Sequence, residues 1–534
     1  PFDLNEGARL DLGSTAKFRT LVTYLELIAE LHAKWSTLSP EALSALQVHP
    51  KDPIARWARD WLLQSPGGSL QAMLDAAMER RYSGDTGETF FTGGGAHHFE
   101  NFEHSEDHQL FTVREALKHS VNLAFVRIMR DVVYHVRAGS AKANAAVLED
   151  ADDPARKEYL SRFADQEGRE FLARFYRKYQ GKSAGDAEDL LLQPHRHTPA
   201  RLAAAFFELE PQADEQDLGE FLTRRLGSDK AITDRALQEL YAKYGPERWS
   251  LADRGYLAGV HPLELWVVGY LRHHPEASLG EVIAQSREQR QDVYAWLFRT
   301  KHKGAQDARI RNLIEQEAFA EILRRWRRLG YPFETLTPSY ATALGASGDR
   351  PAALAELMGI IVNRGVRLPV VRVASLQFGV GTPYETRLEA DASAGQRLLP
   401  AEVADTAREA LAGVVEGGTA GRLEGVFVRE DGTAVQVGGK TGTGDHRFDV
   451  FGKGGRLISS RVVTRTGTFV FYIGDRYFGT IMAYVREPYA AQYKFTSAMP
   501  AQLLKALAPA LLPLLNDERS CRSEDMSPLA LKSP

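Results

Sequence analysis

The sequence holds a single cysteine, Cys521, among 534 residues. One thiol in a polar tail excludes a disulfide framework and a cysteine-based metal site, and it leaves the compartment open, because an extracytoplasmic chain can simply avoid cysteine. Charge of one sign is also lacking: 66 Lys and Arg face 70 Asp and Glu, a formal net charge of −4. That balance gives no general pull toward nucleic acid or an anionic membrane surface, so recognition falls to particular pockets. No uninterrupted apolar run approaches the ~20 residues of a membrane span. No signal peptide opens the chain, which begins on Pro1 with a helix signal close behind. The expectation is a fragment whose upstream part, with any anchor or export signal, lies outside the sequence. There is no repeat of fixed period, which excludes a solenoid.

What is present is ordinary for a globular chain: 44% hydrophobic and 25% charged residues, enough length for two or three folding units. Behind Gly13-Ser14, apolar residues recur at helical spacing (Phe18, Leu21, Leu25, Ile28), so a helix is expected to begin at or beside Ser14. Ser83 to His98 reads as a long loop, and residues 112–134 as one or two helices with a break near Ser120. From 131 to 335 the pattern is amphipathic and helical almost throughout, which reads as an inserted all-helical domain. Strand signals come late, in TAVQVGGKTGT, RTGTFVFYIGD and RYFGTIMAYVRE, separated by turn residues. A final apolar helix (AQLLKALAPALLPLL) follows, and the tail from 516 to 534 reads as disordered.

Three short motifs carry chemistry. Ser14-Thr15-Ala16-Lys17 sets a hydroxyl and an amine on one face of a helix. A neutral lysine, its pKa lowered by burial and a second cation, can take the proton of a serine nucleophile. The helix start adds N–H groups suited to an oxyanion. The same four residues also fit an ordinary helix cap followed by a solvated lysine. Ser120-Val121-Asn122 offers a proton relay and an amide for a substrate backbone, or simply a helix break. Lys440-Thr441-Gly442-Thr443 ends an alternating stretch. There a lysine and two hydroxyls can hold a carboxylate, and Gly442 leaves room for a substrate chain along the strand edge; a polar strand end entering a turn is the other reading.

S-x-x-K, S-x-N and K-T-G occur once each and in that order, the set carried by serine β-lactamases and penicillin-binding proteins. Flanking blocks extend the likeness: Phe99-Glu100-Asn101-Phe102 with Phe111 to Leu117, Thr337 to Ala346 (TPSYATALGA), and Leu411 to Ala420 (LAGVVEGGTA). On these residues the chain resembles the transpeptidase domain of the class A penicillin-binding proteins, the bifunctional murein synthases.

The resemblance implies an α/β (α+β) transpeptidase fold, an antiparallel sheet flanked by helices. The domain would comprise residues 1–130 and 336–515, the helical insertion 131–335 would interrupt it, and the first strands of the sheet would be missing. It implies Ser14 as nucleophile, Lys17 as its base, Ser120 as relay to the departing D-alanine, and Asn122 as a ligand for the donor peptide backbone. Lys440, Thr441, Gly442 and Thr443 would form the carboxylate-binding strand, with the Ser14 and Thr443 N–H groups as oxyanion hole. It further implies peptidoglycan stem peptides and β-lactams as ligands, no metal or organic cofactor, no nucleic acid, a membrane tie only through a missing N-terminal anchor, and a periplasmic or extracytoplasmic site of action. No protein partner is implied.

Two rivals stand beside transpeptidation: hydrolysis by a D,D-carboxypeptidase or serine β-lactamase, and a non-catalytic sensor or scaffold that keeps the pocket. A chain lacking about two strands of its sheet is expected to fold poorly alone. The pairs His97-His98 and His273-His274, and the run His195-Arg196-His197, lack carboxylate or cysteine partners at ligand spacing and read as loop or surface histidines. Gly93-Gly94-Gly95 lacks the Lys-Ser/Thr of a phosphate loop and reads as a turn. The RRWRR run from Arg324 to Arg328 reads as a solvated helix face.

Overall fold

The apolar residues behind Ser14 build the helix Ala16–Trp35, preceded by a 3-10 turn over Gly13–Thr15. Phe18, Leu21, Leu25 and Ile28 are all fully buried, and burial is nearly continuous from Ala16 to Ala29, so this helix is covered on every side rather than along one stripe. A central helix must then bury polar residues too. Arg19 does so by pairing with Asp349, Nε to Oδ2 at 2.5 Å and Nη2 to Oδ1 at 3.2 Å.

The computed structural model describes residues 3–516 apart from 93–94, 140–146, 149, 151, 194–197, 228–231, 300–302, 374, 390–394 and 453–456. The tail beyond 516 with Cys521, the residues Gly93 and Gly94, and the run His195-Arg196-His197 thus lie outside the described residues. The chain divides into two compact units, residues 1–142 with 314–534, and residues 143–313.

The first unit is α+β. Its strands are β1 (Arg81–Ser83), β2 (Phe90–Thr92), β3 (Gly95–His97), β4 (Leu110–Thr112), β5 (Val366–Arg367), β6 (Ser375–Phe378), β7 (Thr386–Glu389), β8 (Gln396–Arg397), β9 (Val437–Phe451), β10 (Leu457–Ile473) and β11 (Tyr477–Arg486). The main sheet is antiparallel with order β11-β10-β9. Its register sets Lys440 opposite Val470, Thr441 opposite Phe469 and Thr443 opposite Gly467. Phe469, Val470 and Tyr472 are fully buried, and the helices Pro351–Val362, Ala401–Val415 and Ala498–Asn516 pack against the sheet.

The stretch 83–98, expected as loop, instead contains a hairpin of β2 with β3, and β1 pairs with β4. Three-residue strands are too short for an alternating pattern to register, and the partner of β1 lies far along the sequence. Strands therefore do not appear only late in the chain.

The RRWRR run also departs from expectation. Trp326 is 2% exposed and donates Nε1–H to Thr23 Oγ1 at 3.0 Å, Arg325 pairs with Glu30 at 2.5 Å, and Arg328 pairs with Glu26. Glu26 and Glu30 lie one turn apart on the helix Ala16–Trp35, so one side of the run forms a charged seam between two helices, while Arg324 and Arg327 are exposed as the sequence suggests. The helix Ala498–Asn516 is, by length and composition alone, long and apolar enough to cross a membrane, although Lys505, Pro509 and Pro513 interrupt its run in the sequence.

The second unit is helical, with no strand among the described residues. Its helices are punctuated by side-chain N-caps, among them Asp153, Ser183, Thr198, Asp214, Thr233, Ser250 and Ser278. Leu172, Leu202, Leu218, Leu222, Leu263 and Val267 form part of its own core.

Candidate active site

The site is built from three backbone features. The first is the entry to the helix Ala16–Trp35. Asp11 Oδ1 accepts from the Gly13 N–H at 2.9 Å, and Gly13 turns the chain with a φ of 55°, a left-handed conformation that favours glycine. A Cβ built on Gly13 would stand 2.1 Å from the Thr443 carbonyl oxygen, so the residue before Ser14 lies directly against the backbone of β9.

The second feature is the break between the helices Val113–His119 and Asn122–Gly139. The capping box of Thr112 and Glu115 starts the first helix, and Ser120 ends it in the left-handed region with a φ of 64°. The break expected near Ser120 is therefore an αL cap, and it turns the Ser120 carbonyl and hydroxyl toward Lys17. The third feature is β9, which carries Lys440 and Thr441 within a regular ladder rather than at a frayed strand end.

Side chains from the three converge. Lys17 Nζ donates to the Ser120 carbonyl, to Ser120 Oγ at 3.1 Å and to Asn122 Oδ1 at 2.7 Å. Lys440 Nζ donates to the same Ser120 Oγ at 2.8 Å and to the Thr441 carbonyl at 3.0 Å. Asn122 Nδ2 is held by the Glu100 carbonyl at 2.8 Å. Both lysines are fully buried. Burial first, and the positive charge of Lys440 second, hold Lys17 well below the usual lysine range, against a smaller opposing pull from Glu106. Burial draws Lys440 down to about 7. Two amines sharing one hydroxyl in a dry site can pass a proton through Ser120, and the lysine that is neutral can act as a base.

Ser14 is half-buried at the head of this cluster, and its hydroxyl makes no hydrogen bond among the described residues. All the hydrogen bonds of the Lys17 amine run to the S-x-N turn, and none reaches Ser14. Catalytic hydrogen bonds commonly close only around a bound substrate.

Gly442 packs against the chain's own backbone. A Cβ there would sit 2.1 Å from the Leu12 carbonyl oxygen and 2.8 Å from Thr15 Cγ2, so the glycine makes room for the chain's own approach to Ser14. Thr443 Oγ1 accepts from the Ser497 N–H at 3.0 Å.

Several residues escaped the sequence reading. Thr419 shares a hydrogen bond with Thr441, oxygen to oxygen at 2.7 Å; the GGTA block that contains it was the available signal. Glu106, whose carboxyl burial pushes up, faces the charge of Lys17, and nothing in its sequence context marks it. Asn101 ties the S-x-N turn to a neighbouring loop. Among the described residues no group of three or more His, Cys, Asp or Glu could hold a metal ion.

No protein-family model matches the chain, and no curated protein matches it. Solved structures do. One is the D,D-transpeptidase domain of a peptidoglycan glycosyltransferase from Eggerthella lenta, 13% identical, covering 96% of this chain and 67% of that one with a TM-score of 0.36. A second is penicillin-binding protein 3 from Mycobacterium tuberculosis complexed with aztreonam, 20% identical, covering 42% of this chain and 51% of that one with a TM-score of 0.26. A third is penicillin-binding protein 1A from Haemophilus influenzae, 19% identical, covering 41% and 34% with a TM-score of 0.26. The chain thus spans two thirds of the first of these structures and about half or less of the other two. Likenesses this distant leave the function to be argued from the residues themselves.

Proposed function

We propose that this chain is a penicillin-binding D,D-transpeptidase module that cross-links peptidoglycan stem peptides through an acyl-enzyme on Ser14. The observation that carries the reading is that Lys17 and Lys440, from separate parts of the sequence, both donate to the Ser120 hydroxyl, while Lys17 also donates to Asn122 Oδ1. Chance surface motifs have no reason to bury two lysines against each other; a base held neutral and a cation held beside it do.

In the proposed reaction the Ser14 hydroxyl attacks the carbonyl carbon of the D-Ala-D-Ala amide, forming the C–O bond while its proton passes to neutral Lys17. The oxyanion lies against the N–H groups of Ser14 and Thr443. The C–N bond then breaks, and the amine of D-alanine leaves with a proton delivered through Ser120. Lys440, Thr441 and Thr443 hold the terminal carboxylate, Gly442 sets their approach to Ser14, and Asn122 holds the donor backbone. An amine from a second stem peptide attacks the ester, restores Ser14 and forms the cross-link. No cofactor enters these steps. β-Lactams acylate Ser14 by the same attack on their strained amide. The substrates place the reaction on the extracytoplasmic side.

Labelling the chain with a fluorescent penicillin, alongside Ser14→Ala, tests this. A single adduct on the unsubstituted chain and none on Ser14→Ala is expected. An unlabelled chain would sink the reading, and a label surviving in Ser14→Ala would assign another nucleophile. Cross-linked against trimmed product from a murein substrate separates transpeptidation from hydrolysis.

A further inference from the structure

Asn101 is 6% exposed and spends its whole amide on the backbone and side chains around the S-x-N turn. Its Oδ1 accepts from the Leu123 N–H at 3.0 Å; its Nδ2 donates to the Gly84 carbonyl at 2.7 Å and to Asp107 Oδ1 at 2.9 Å. Leu123 is in the first turn of the helix Asn122–Gly139, where N–H groups have no partner within the helix. Asn101 therefore does the work of a helix cap from 22 residues upstream. Next to it, the Glu100 carbonyl accepts from Asn122 Nδ2 at 2.8 Å, so consecutive residues grip both the side chain of Asn122 and the backbone just beyond it.

What they grip is a turn that needs holding. Ser120 is one of three non-glycine residues with positive φ among the described residues, a conformation that persists only where its surroundings impose it. From below, the Val121 N–H bonds to the Ala116 carbonyl at 2.9 Å and closes the preceding helix. From above, the turn is held by Asn101 and Glu100. On the far side Asn101 is anchored to the loop that carries Glu106, the carboxylate whose charge opposes the depression of Lys17.

We propose that Asn101 is a positioning residue of the active site: it fixes the S-x-N turn so that Ser120 and Asn122 meet Lys17 and Lys440, and it touches no substrate itself. This rests on the transpeptidase reading of the site. An asparagine is suited to the place because only an amide both accepts from Leu123 and donates to Gly84 and Asp107.

The test compares the unsubstituted full chain with Asn101→Leu and Asn101→Asp. Leucine fills the volume and makes none of the bonds. Aspartate keeps an acceptor for Leu123 but sets its carboxylate against that of Asp107. For acylation by a fluorescent penicillin, the maximal rate should fall at least about tenfold in Asn101→Leu, as expected when a buried N–H is left unpaired, with the half-saturating concentration changed less. Asn101→Asp should lie nearer the unsubstituted rate than Asn101→Leu, yet melt at the lower temperature of the two. That reversed order separates positioning from bulk stability; rates that follow the melting temperatures, or an unchanged rate in Asn101→Leu, would overturn the inference. Hydrogen exchange at the Leu123 amide gives an arm independent of activity. Faster exchange in Asn101→Leu supports the hold on the turn even if the unsubstituted chain takes no penicillin, the result that would count against the transpeptidase reading. Unchanged exchange overturns the hold itself.

Discussion

Replacing Lys440 with Met should stabilise the fold below neutral pH while removing a cation that the proposed site needs. Lys440 is fully buried, and burial draws its ammonium from 10.5 down to about 7. Between those values the unfolded chain binds the proton and the folded chain does not, so native stability rises with pH across that window. Below about pH 7 both states are charged and the folded state bears the full penalty, roughly 5 kcal/mol at about 1.4 kcal/mol per tenfold change in the equilibrium. Against this, methionine forfeits the bonds to Ser120 Oγ and the Thr441 carbonyl, at about 1 kcal/mol each. Ser120 Oγ keeps Lys17 as a partner, so the substitution orphans no hydroxyl. The net gain is about 3 kcal/mol near pH 6, turning to a loss of about 1 kcal/mol near pH 10, where the folded amine is neutral and the unfolded one is still mostly charged. Urea unfolding followed by tryptophan fluorescence at the two pH values reads the difference. A loss of stability near pH 6, or a difference independent of pH, would refute the account of Lys440 as a buried, depressed amine.

Gly442→Ala should force the approach to Ser14 away from β9, since its Cβ meets the Leu12 carbonyl at 2.1 Å and backbone cannot rotate aside. A stability loss of about 2 kcal/mol and at least a tenfold slower penicillin acylation are expected, read by thermal unfolding and by labelling kinetics. Asp349→Ala should cost about 3–5 kcal/mol in the same unfolding assay, because it leaves the Arg19 guanidinium buried without its carboxylate. Deleting the exposed pair of Arg235 and Glu239 should change stability by less than about 0.5 kcal/mol.

The parts of the site legible in the sequence are those whose meaning is local. Ser14 at a helix start, Ser120 at a helix break and Lys440 on an alternating strand each follow from neighbours within a few residues, and their order in the chain supplied the rest. The strands β9 to β11 were legible for the same reason, being long enough to show alternation. What stayed hidden depends on contacts across long separations. Asn101 stands in the flanking block Phe99 to Phe102, but no role for it is readable until Leu123 is brought to it, and Thr419 gains its role only from Thr441 on another element. Gly442 reads in the sequence as room for a substrate chain, and nothing local to it shows that Leu12 to Thr15 pack against it. Trp326 sat in a basic run that suggested solvent, and its burial comes from Thr23 on a distant helix and from Tyr331. The short pairings β1 with β4 and β2 with β3 carry no pattern of their own.

The ladder between β9 and β10 makes assembly of this site an all-or-none event. Side chains alternate between the faces of a strand, so a slip of one residue against β10 would turn Lys440 away from Ser120 and present Gly439 or Thr441 in its place. A chain caught in the wrong register would keep most of its sheet hydrogen bonds and lose the meeting of Lys440 with Ser120. On the proposed reading, activity per molecule reports correct pairing more strictly than any measure of secondary structure does, and a partly misfolded preparation is a mixture of competent and inert molecules.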